Sequence, residues 1–145
     1  MIISKLYYLK AQAIFFPYII LIIFQKIILM AFESVVPILY SSDVARSLAY
    51  YMNQLAFDEQ WNWDDPITFG GVSKDCVRLF FCLNAQGHPG TWIVVNVDKV
   101  DAYYETIKAR GAKIISPPGD KEWFMREMLV EDPDGHIIRF GNGIE

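Results

Sequence analysis

Apolar and polar residues recur along residues 34–143 in two successive series of predicted elements. The first series has a strand, a helix and three strands, at 34–40, 44–55, 57–63, 67–72 and 76–83. A loop rich in Gly and Pro follows, and the order restarts at 91–97, 100–110, 112–116, 125–131 and from 136 onward. The pattern therefore predicts two copies of one strand, one helix and three strands.

The sequence EDPDGHIIRFG near the C-terminus gives the clearest local indication of structure, a tight turn followed by a strand. Asp-Pro-Asp-Gly suits a tight turn, because proline pre-sets φ and glycine tolerates a positive φ. In the strand that follows, alternate side chains share a face. This spacing places His136, Ile138 and Phe140 on one face and Ile137 and Arg139 on the other.

The hydrophobic segment 1–33 is predicted to lie outside both modules. Its uncharged run at 11–24 is short for a membrane-spanning helix, and a longer span would include Lys26. No small-residue cleavage pattern follows it, as a signal peptide would require. We therefore prefer a spurious extension ahead of a true start at Met30, then a membrane anchor, then a signal peptide.

Charge separates this segment from the rest of the chain. Three of the 13 basic residues and none of the 17 acidic residues lie in residues 1–29, which leaves residues 30–145 with ten basic residues and a net charge of −7. The predicted domain at 34–145, with modules at about 34–88 and 90–143, is therefore acidic. Such a charge disfavours nucleic acid as a partner and attracts cations.

The two cysteines, Cys76 and Cys82, form neither a CxxC motif nor a disulfide framework. We therefore expect a reducing, cytoplasmic location, or a membrane-anchored one if residues 1–29 are a genuine anchor. On an apolar strand both are most simply small core residues, and no nucleophile can be paired with a base. We expect no catalytic residue.

The two modules resemble the vicinal oxygen chelate superfamily, which contains glyoxalases, bleomycin-resistance proteins and dioxygenases. The resemblance is carried by YSSDVARSLAYY in the first module, and by VNVDKVDAYYETIKARGAKIISPP and MREMLVEDPDGHIIRFG in the second. The W-x-M-R-E run at 123–127 is similar to the bleomycin-resistance branch. The resemblance implies an α+β fold of two βαβββ modules, whose curved mixed sheet surrounds a cleft with helices outside. It also implies a homodimer whose clefts are completed by both subunits.

Enzymes of that superfamily hold a divalent metal with His, Gln or Glu side chains in the cleft. The resemblance places the usual ligand positions at Val36, Phe80, Trp92 and Arg139. The first three side chains offer no workable lone pair, and a guanidinium has no acceptor. Because a catalytic metal needs about three protein ligands, we expect no metal and no cofactor. A metal-dependent lyase or dioxygenase with ligands elsewhere stays open as an alternative.

Five aromatic residues and one arginine are the candidate ligand-binding residues: Trp61, Trp63, Phe80, Trp92, Trp123 and Arg139. Each aromatic residue alone is equally well explained as part of the core. Together with nearby carboxylates they would suit a flat, cationic, partly apolar ligand, through stacking and cation–π contact. Arg139 would repel such a ligand unless Glu127 neutralises it. The other interpretation is that Arg139 contacts an anionic part of the ligand.

The remaining polar candidates have simpler explanations. His88 lies in the loop between the modules and His136 follows a turn, so we expect both to be exposed. Asp132 and Asp134 are expected to serve the turn. The sequence therefore predicts a metal-free, dimeric protein that sequesters a bleomycin-type antibiotic, with a binding module for another metabolite as a further alternative.

Overall fold

The computed structural model describes residues 32–144, and the chain from Val35 onward forms one compact unit. The predictions for the hydrophobic N-terminal segment therefore lie almost entirely outside the described residues. Within the described part, no helix combines the length and the hydrophobicity needed to cross a membrane.

The first module contains β1 (Ile38–Ser41), α1 (Val44–Asn53), β2 (Glu59–Trp63), β3 (Phe69–Lys74) and β4 (Val77–Leu83). Its sheet has the order β1-β4-β3-β2. β1 and β4 are parallel because the chain crosses over through α1, whereas the other two pairs are antiparallel.

The second module contains β5 (Trp92–Asn96), α2 (Val100–Ala109), β6 (Lys113–Asp120), β7 (Met125–Glu131) and β8 (Ile137–Gly143). Its sheet has the order β5-β8-β7-β6, which repeats the topology of the first. The β5–β8 pair is parallel, and the β7–β8 and β6–β7 pairs are antiparallel. The α+β architecture of two βαβββ modules is confirmed.

Two strands run through residues that usually interrupt a strand. β3 runs through Gly70-Gly71, where glycine permits close packing: a Cβ on Gly70 would lie 2.8 Å from the Trp61 carbonyl oxygen. β6 runs through Pro117-Pro118 as an edge strand with register shifts. Proline is tolerated on an edge strand, because a ladder hydrogen bond is not required on its outer side.

The start of each helix is capped differently. Asp43 caps α1, since its carboxylate accepts a hydrogen bond from the Arg46 backbone N–H at 3.0 Å. α2 begins after Lys99, which makes no side-chain cap bond. The Val100 N–H instead donates to Asn142 on β8 at 3.0 Å. The second helix is thus tied to the sheet beneath it.

Each helix buries one face against its sheet. The two helices and the facing sides of the sheets share one hydrophobic core, whose largest fully buried side chains include Tyr51, Phe81, Phe140, Leu39, Leu55 and Ile107. In β8 the predicted alternation is confirmed, since Ile138 and Phe140 are buried and Arg139 is half-exposed on the other face. One face of each sheet therefore packs against a helix, and the opposite face, called the open face below, is covered by neither α1 nor α2.

The turn between β7 and β8 joins the two modules. The Asp134 carboxylate accepts hydrogen bonds from the hydroxyls of Ser41, Ser42 and Ser47, and from the Ser42 backbone N–H. It also pairs with Arg46 at 2.9 Å. Asp134 therefore connects this turn to the first module, beyond the local role that the sequence predicted.

Asp132 serves the turn as predicted. One of its carboxylate oxygens accepts the backbone N–H groups of Asp134 and His136, both at 2.9 Å. The other accepts the Tyr51 hydroxyl at 3.2 Å. The turn is thus closed by Asp132 and linked through Tyr51 to α1.

The expectation that His136 is exposed is wrong, because the first module covers the turn and the side chain is fully buried. Its Nδ1 accepts the Thr91 backbone N–H at 3.1 Å, and its Nε2 lies 2.8 Å from the Tyr40 carbonyl oxygen. Since a backbone N–H can only donate, the ring proton is on Nε2 and is donated to Tyr40. His88 is exposed, as expected.

Candidate functional site

Strand alternation places the predicted ligand residues of β4 and β8 on the open faces. In β4, Leu79 and Phe81 are buried beneath α1, whereas Phe80 belongs to the opposite face. In the second sheet Trp92 is paired in register with Ile137, next to Arg139. None of the three lies under α1 or α2.

The open face of the first sheet carries the first aromatic cluster, which consists of Trp61, Trp63, Phe69 and Phe80. The Trp61 ring packs edge-on against Phe80, with centroids 5.0 Å apart. The other ring pairs have centroids between 5.6 and 5.8 Å apart. Trp63 remains 63% exposed. A protein surface seldom holds four such rings unless they contact a ligand or a partner.

Phe69 was missing from the predicted set. It enters the cluster because β2 and β3 pair with Trp63 opposite Phe69. The only local signal was an aromatic residue shortly after a turn. Its face could not be assigned from the sequence because the register between the two strands was unknown.

Gly71 leaves the space in which the first aromatic cluster packs. It lies opposite Trp61 on β2 and opposite Phe80 on β4. A Cβ at this position would lie 2.7 Å from Phe80 Cδ1, 2.9 Å from Trp61 Nε1 and 3.0 Å from the Leu79 carbonyl oxygen. Two rings would therefore have to move to accommodate one methyl group.

We expect Gly71→Ala to destabilise the protein by about 1–3 kcal/mol, because an added methyl group overpacks this site. It should also change the near-UV circular dichroism of the Trp61–Phe80 pair. Gly143→Ala, in β8, is the matched control, since a Cβ there meets no atom within 4 Å. Equal stability and equal near-UV circular dichroism of the two variants would show that the packing of the rings does not depend on Gly71.

The open face of the second sheet carries the second cluster, which consists of Trp92, Trp123, Glu127 and Arg139. The Arg139 guanidinium carbon lies 5.8 Å from the centroid of the Trp92 ring. Glu127 Oε1 accepts the Trp123 indole N–H at 3.0 Å, and Oε2 lies 3.7 Å from Arg139 Nε. The carboxylate therefore offsets the arginine charge, in line with the first of the two interpretations of Arg139.

Residues 31–140 match the model of the Glyoxalase/Bleomycin resistance protein/Dioxygenase superfamily. The chain belongs to this superfamily. Among curated protein sequences there is no significant match.

Several solved structures share the fold of this chain. TioX from Micromonospora sp. ML1 has a TM-score of 0.67 at 23% identity, covering 78% of this chain and 100% of its own. The bleomycin-binding protein from the bleomycin producer Streptomyces verticillus, solved with copper(II)-bleomycin, has a TM-score of 0.64 at 26% identity, covering 77% and 97%. The bleomycin resistance determinant of transposon Tn5 has a TM-score of 0.63 at 20% identity, covering 77% and 98%.

The superfamily's usual metal positions do not suit a metal in this chain. Phe80 and Trp92 present rings, Arg139 presents a cation, and Val36 precedes β1 with a hydrocarbon side chain. In residues 32–144, no three or more His, Cys, Asp or Glu side chains are grouped so that they could hold a metal ion. The donor set of the described residues therefore does not fit the superfamily's divalent metal.

The structure groups the six predicted ligand residues into two sets and does not join them. Trp61, Trp63 and Phe80 belong to the first cluster, and Trp92, Trp123 and Arg139 to the second. Between residues 32 and 144, no ring pair, hydrogen bond or ion pair connects one cluster to the other. Within one subunit they therefore form two separate surfaces.

A separate cleft of about 300 Å³ lies between the modules, on the side of the helices. Its lining includes Phe57, Val95, Tyr103 and Phe140. It contains none of the six predicted ligand residues. The aromatic open faces are thus distinct from this cleft.

Proposed function

We propose that the protein is a metal-free binding protein that sequesters a bleomycin-type antibiotic. The observation that carries this proposal is the first aromatic cluster, which presents four packed rings on the sheet face opposite α1. Stacking and cation–π contact with such rings suit a flat, cationic ligand. The net charge of −7 over residues 30–145 supports the attraction of a cation.

We propose that the binding cleft is completed in a homodimer. The second sheet exposes Trp92 and Val94 on the open face, with exposed fractions of 57% and 63%. These side chains would be covered if the second cluster of one subunit faced the first aromatic cluster of its partner. Each dimer would then contain two clefts, and each cleft would combine rings from both subunits.

We also propose that residues 34–145 form the superfamily domain, that the protein acts in the cytoplasm, and that Met30 is the native start. The charge difference between residues 1–29 and the remainder supports these boundaries. Mass spectrometry of the N-terminus of the native protein tests them. A native chain that begins at Met1 and fractionates with membranes would contradict both the start and the location.

Calorimetric titration of the full chain with metal-free bleomycin and with copper(II)-bleomycin tests the function. Sequestration at micromolar drug requires a binding free energy on the order of −9 kcal/mol or better. We expect two drug molecules to bind each dimer. Absence of heat at millimolar drug would remove the antibiotic from the proposal, and a stoichiometric, tightly held metal in the purified protein would overturn its metal-free character.

Double replacement of Trp61 and Trp63 by Ala is expected to weaken drug binding about 30-fold or more, because each lost stacking contact contributes about 1 kcal/mol or more. Tyr104→Ala is the control, since this half-buried ring lies on α2 beside Lys108. Calorimetry of both variants provides the measurement. Equal affinities would show that the first aromatic cluster does not contact the drug.

Mixed dimers test whether each cleft is shared between subunits. One chain carries the Trp61→Ala and Trp63→Ala pair, and the other carries Trp92→Ala and Arg139→Ala. In shared clefts, the mixed dimer has one intact cleft and binds one drug molecule with the affinity of the unmodified protein. If each cleft belonged to a single subunit, every cleft of the mixed dimer would be impaired.

A further inference from the structure

Arg139 and Glu127 in the second cluster form an ion pair without a hydrogen bond between Arg139 Nε and Glu127 Oε2. Arg139 Nε lies 3.7 Å from Glu127 Oε2, which exceeds the length of a hydrogen bond. This Nε is buried and has no hydrogen-bond partner in the described part of the chain. Because a buried charged donor without a partner is costly, the arrangement suggests that a further group takes part when a ligand binds.

The Glu127 side chain is held by its neighbours. It is only 7% exposed, and Oε1 accepts the Trp123 indole N–H. Opposite it on β8 lies Gly141, where a Cβ would come within 3.0 Å of Glu127 Cγ. The glycine therefore makes room for the Glu127 side chain, and Oε2 is the carboxylate oxygen that does not bond to Trp123.

Arg139 is also fixed in place by a neighbouring ring, but its hydrogen-bond donors are not all used. It lies beside the Trp92 ring, and the side chain is 34% exposed. Among residues 32–144, no group accepts a hydrogen bond from it. The open face therefore presents a donor on Arg139 close to an acceptor on Glu127 Oε2.

We infer that this pair recognises a neutral planar group with one hydrogen-bond donor and one acceptor on the same edge, such as a carboxamide or an amino-substituted heterocycle. The N–H of the ligand donates to Glu127 Oε2, and its carbonyl or ring nitrogen accepts from the Arg139 guanidinium. This inference rests on the proposed function, since it names the part of the ligand that the second cluster takes.

Charge explains why a neutral group is selected. A carboxylate on the ligand would pair with Arg139 but would be repelled by the buried Glu127. A cation would pair with Glu127 but would be repelled by Arg139. Only a group with both polarities satisfies the two side chains, so the site discriminates against either kind of ion.

Benzamide, benzoate and benzamidine test this inference, because they share a ring and differ in the edge they present. They are titrated into the full chain while the indole N–H resonances of Trp92 and Trp123 are followed by NMR. We expect benzamide to bind about tenfold more tightly than the other two, since each of them has one repelled contact. Equal affinities, a preference for either ion, or no shift of these resonances would overturn the inference.

Two variants should change the order of the three affinities, one in favour of benzoate and the other in favour of benzamidine. Glu127→Gln removes the charge that repels benzoate, so benzoate should gain affinity and the preference for benzamide should be lost. Arg139→Gln removes the charge that repels benzamidine, so benzamidine should gain affinity and the preference for benzamide over it should be lost. Arg126→Gln is the matched control, because this neighbouring arginine pairs with Asp101 and Asp120 and should leave the ranking unchanged.

The result can be separated from the test of the antibiotic itself. If bleomycin fails to bind but the fragment ranking and its two reversals hold, the proposed function fails and the inference stands for another ligand. If bleomycin binds but the ranking is absent, the inference is overturned and the proposed function stands.

Discussion

Asp134→Ala is expected to lower the free energy of unfolding by about 2–3 kcal/mol, because it removes a buried carboxylate that accepts hydrogen bonds from the first module. The Asp134 side chain is 4% exposed and accepts five hydrogen bonds, all of them from the Ser41–Ser47 segment. Its loss leaves the hydroxyls of Ser41 and Ser47 without this partner at the junction of the modules. Urea unfolding followed by circular dichroism measures the effect.

Asp132→Asn is the matched comparison in the same turn. Burial raises the pKa of the Asp132 carboxyl, against the lowering effect of the hydrogen bonds that it accepts from the backbone. The charged form is therefore disfavoured in the folded protein. An asparagine can keep both backbone bonds and donate to Tyr51, so we expect a change within about 1 kcal/mol at pH 7. A larger loss than for Asp134→Ala would contradict this account.

The effect of Asp134→Ala should depend on pH. Burial raises the pKa of the Asp134 carboxyl, but hydrogen bonds from Ser42 and Ser47 and the charge of Arg46 outweigh it, and the pKa lies below its usual value. The folded protein therefore binds this proton less tightly than the unfolded chain does. The stabilisation is present above about pH 4 and is lost as the pH falls through the folded pKa. The difference between the unmodified protein and the variant should shrink between pH 7 and pH 3.

His136→Ala is expected to destabilise the protein by about 3–4 kcal/mol, because it opens a cavity and leaves buried backbone groups without partners. The groups are the Thr91 N–H and the Tyr40 carbonyl, which the imidazole connects across the junction of the modules. Urea unfolding at pH 7 gives the measurement. His136→Gln should retain part of the stability, since an amide can also accept and donate.

His88→Ala provides the control for His136→Ala, because His88 is exposed in the loop between the modules. Its effect should remain within about 0.5 kcal/mol, as for most surface substitutions. A loss below about 1 kcal/mol for His136→Ala would show that water replaces the imidazole at both backbone groups. The buried histidine would then not be a structural link between the modules.

Much of the candidate site could be predicted from local spacing. Alternation alone put Phe80 opposite the buried face of β4, and Arg139 opposite Ile138 and Phe140 on β8. It also put Trp61 and Trp63 on one face of β2, where they contact each other. These predictions succeeded because a strand presents alternate side chains to opposite faces wherever it lies in the fold.

Contacts between distant parts of the chain could not be predicted in this way. Phe69 joined the first aromatic cluster through the register of β2 and β3, and Gly71 leaves the space in which this cluster packs. His136 was expected in solvent because a turn usually lies at the surface. Its burial follows from the first module, which precedes it by about 90 residues.

The sequence by itself determined the two-module order of elements, the residues that share a strand face, and the absence of metal-binding side chains at the superfamily's usual positions. Those properties depend on residue type and on spacing along a few neighbouring positions. Only the tertiary structure decided that the ligand residues form two separate clusters, that Glu127 stands beside Arg139 without closing on it, and that a histidine joins the modules. These features depend on strand register and on packing between residues far apart in the chain, which local periodicity does not specify.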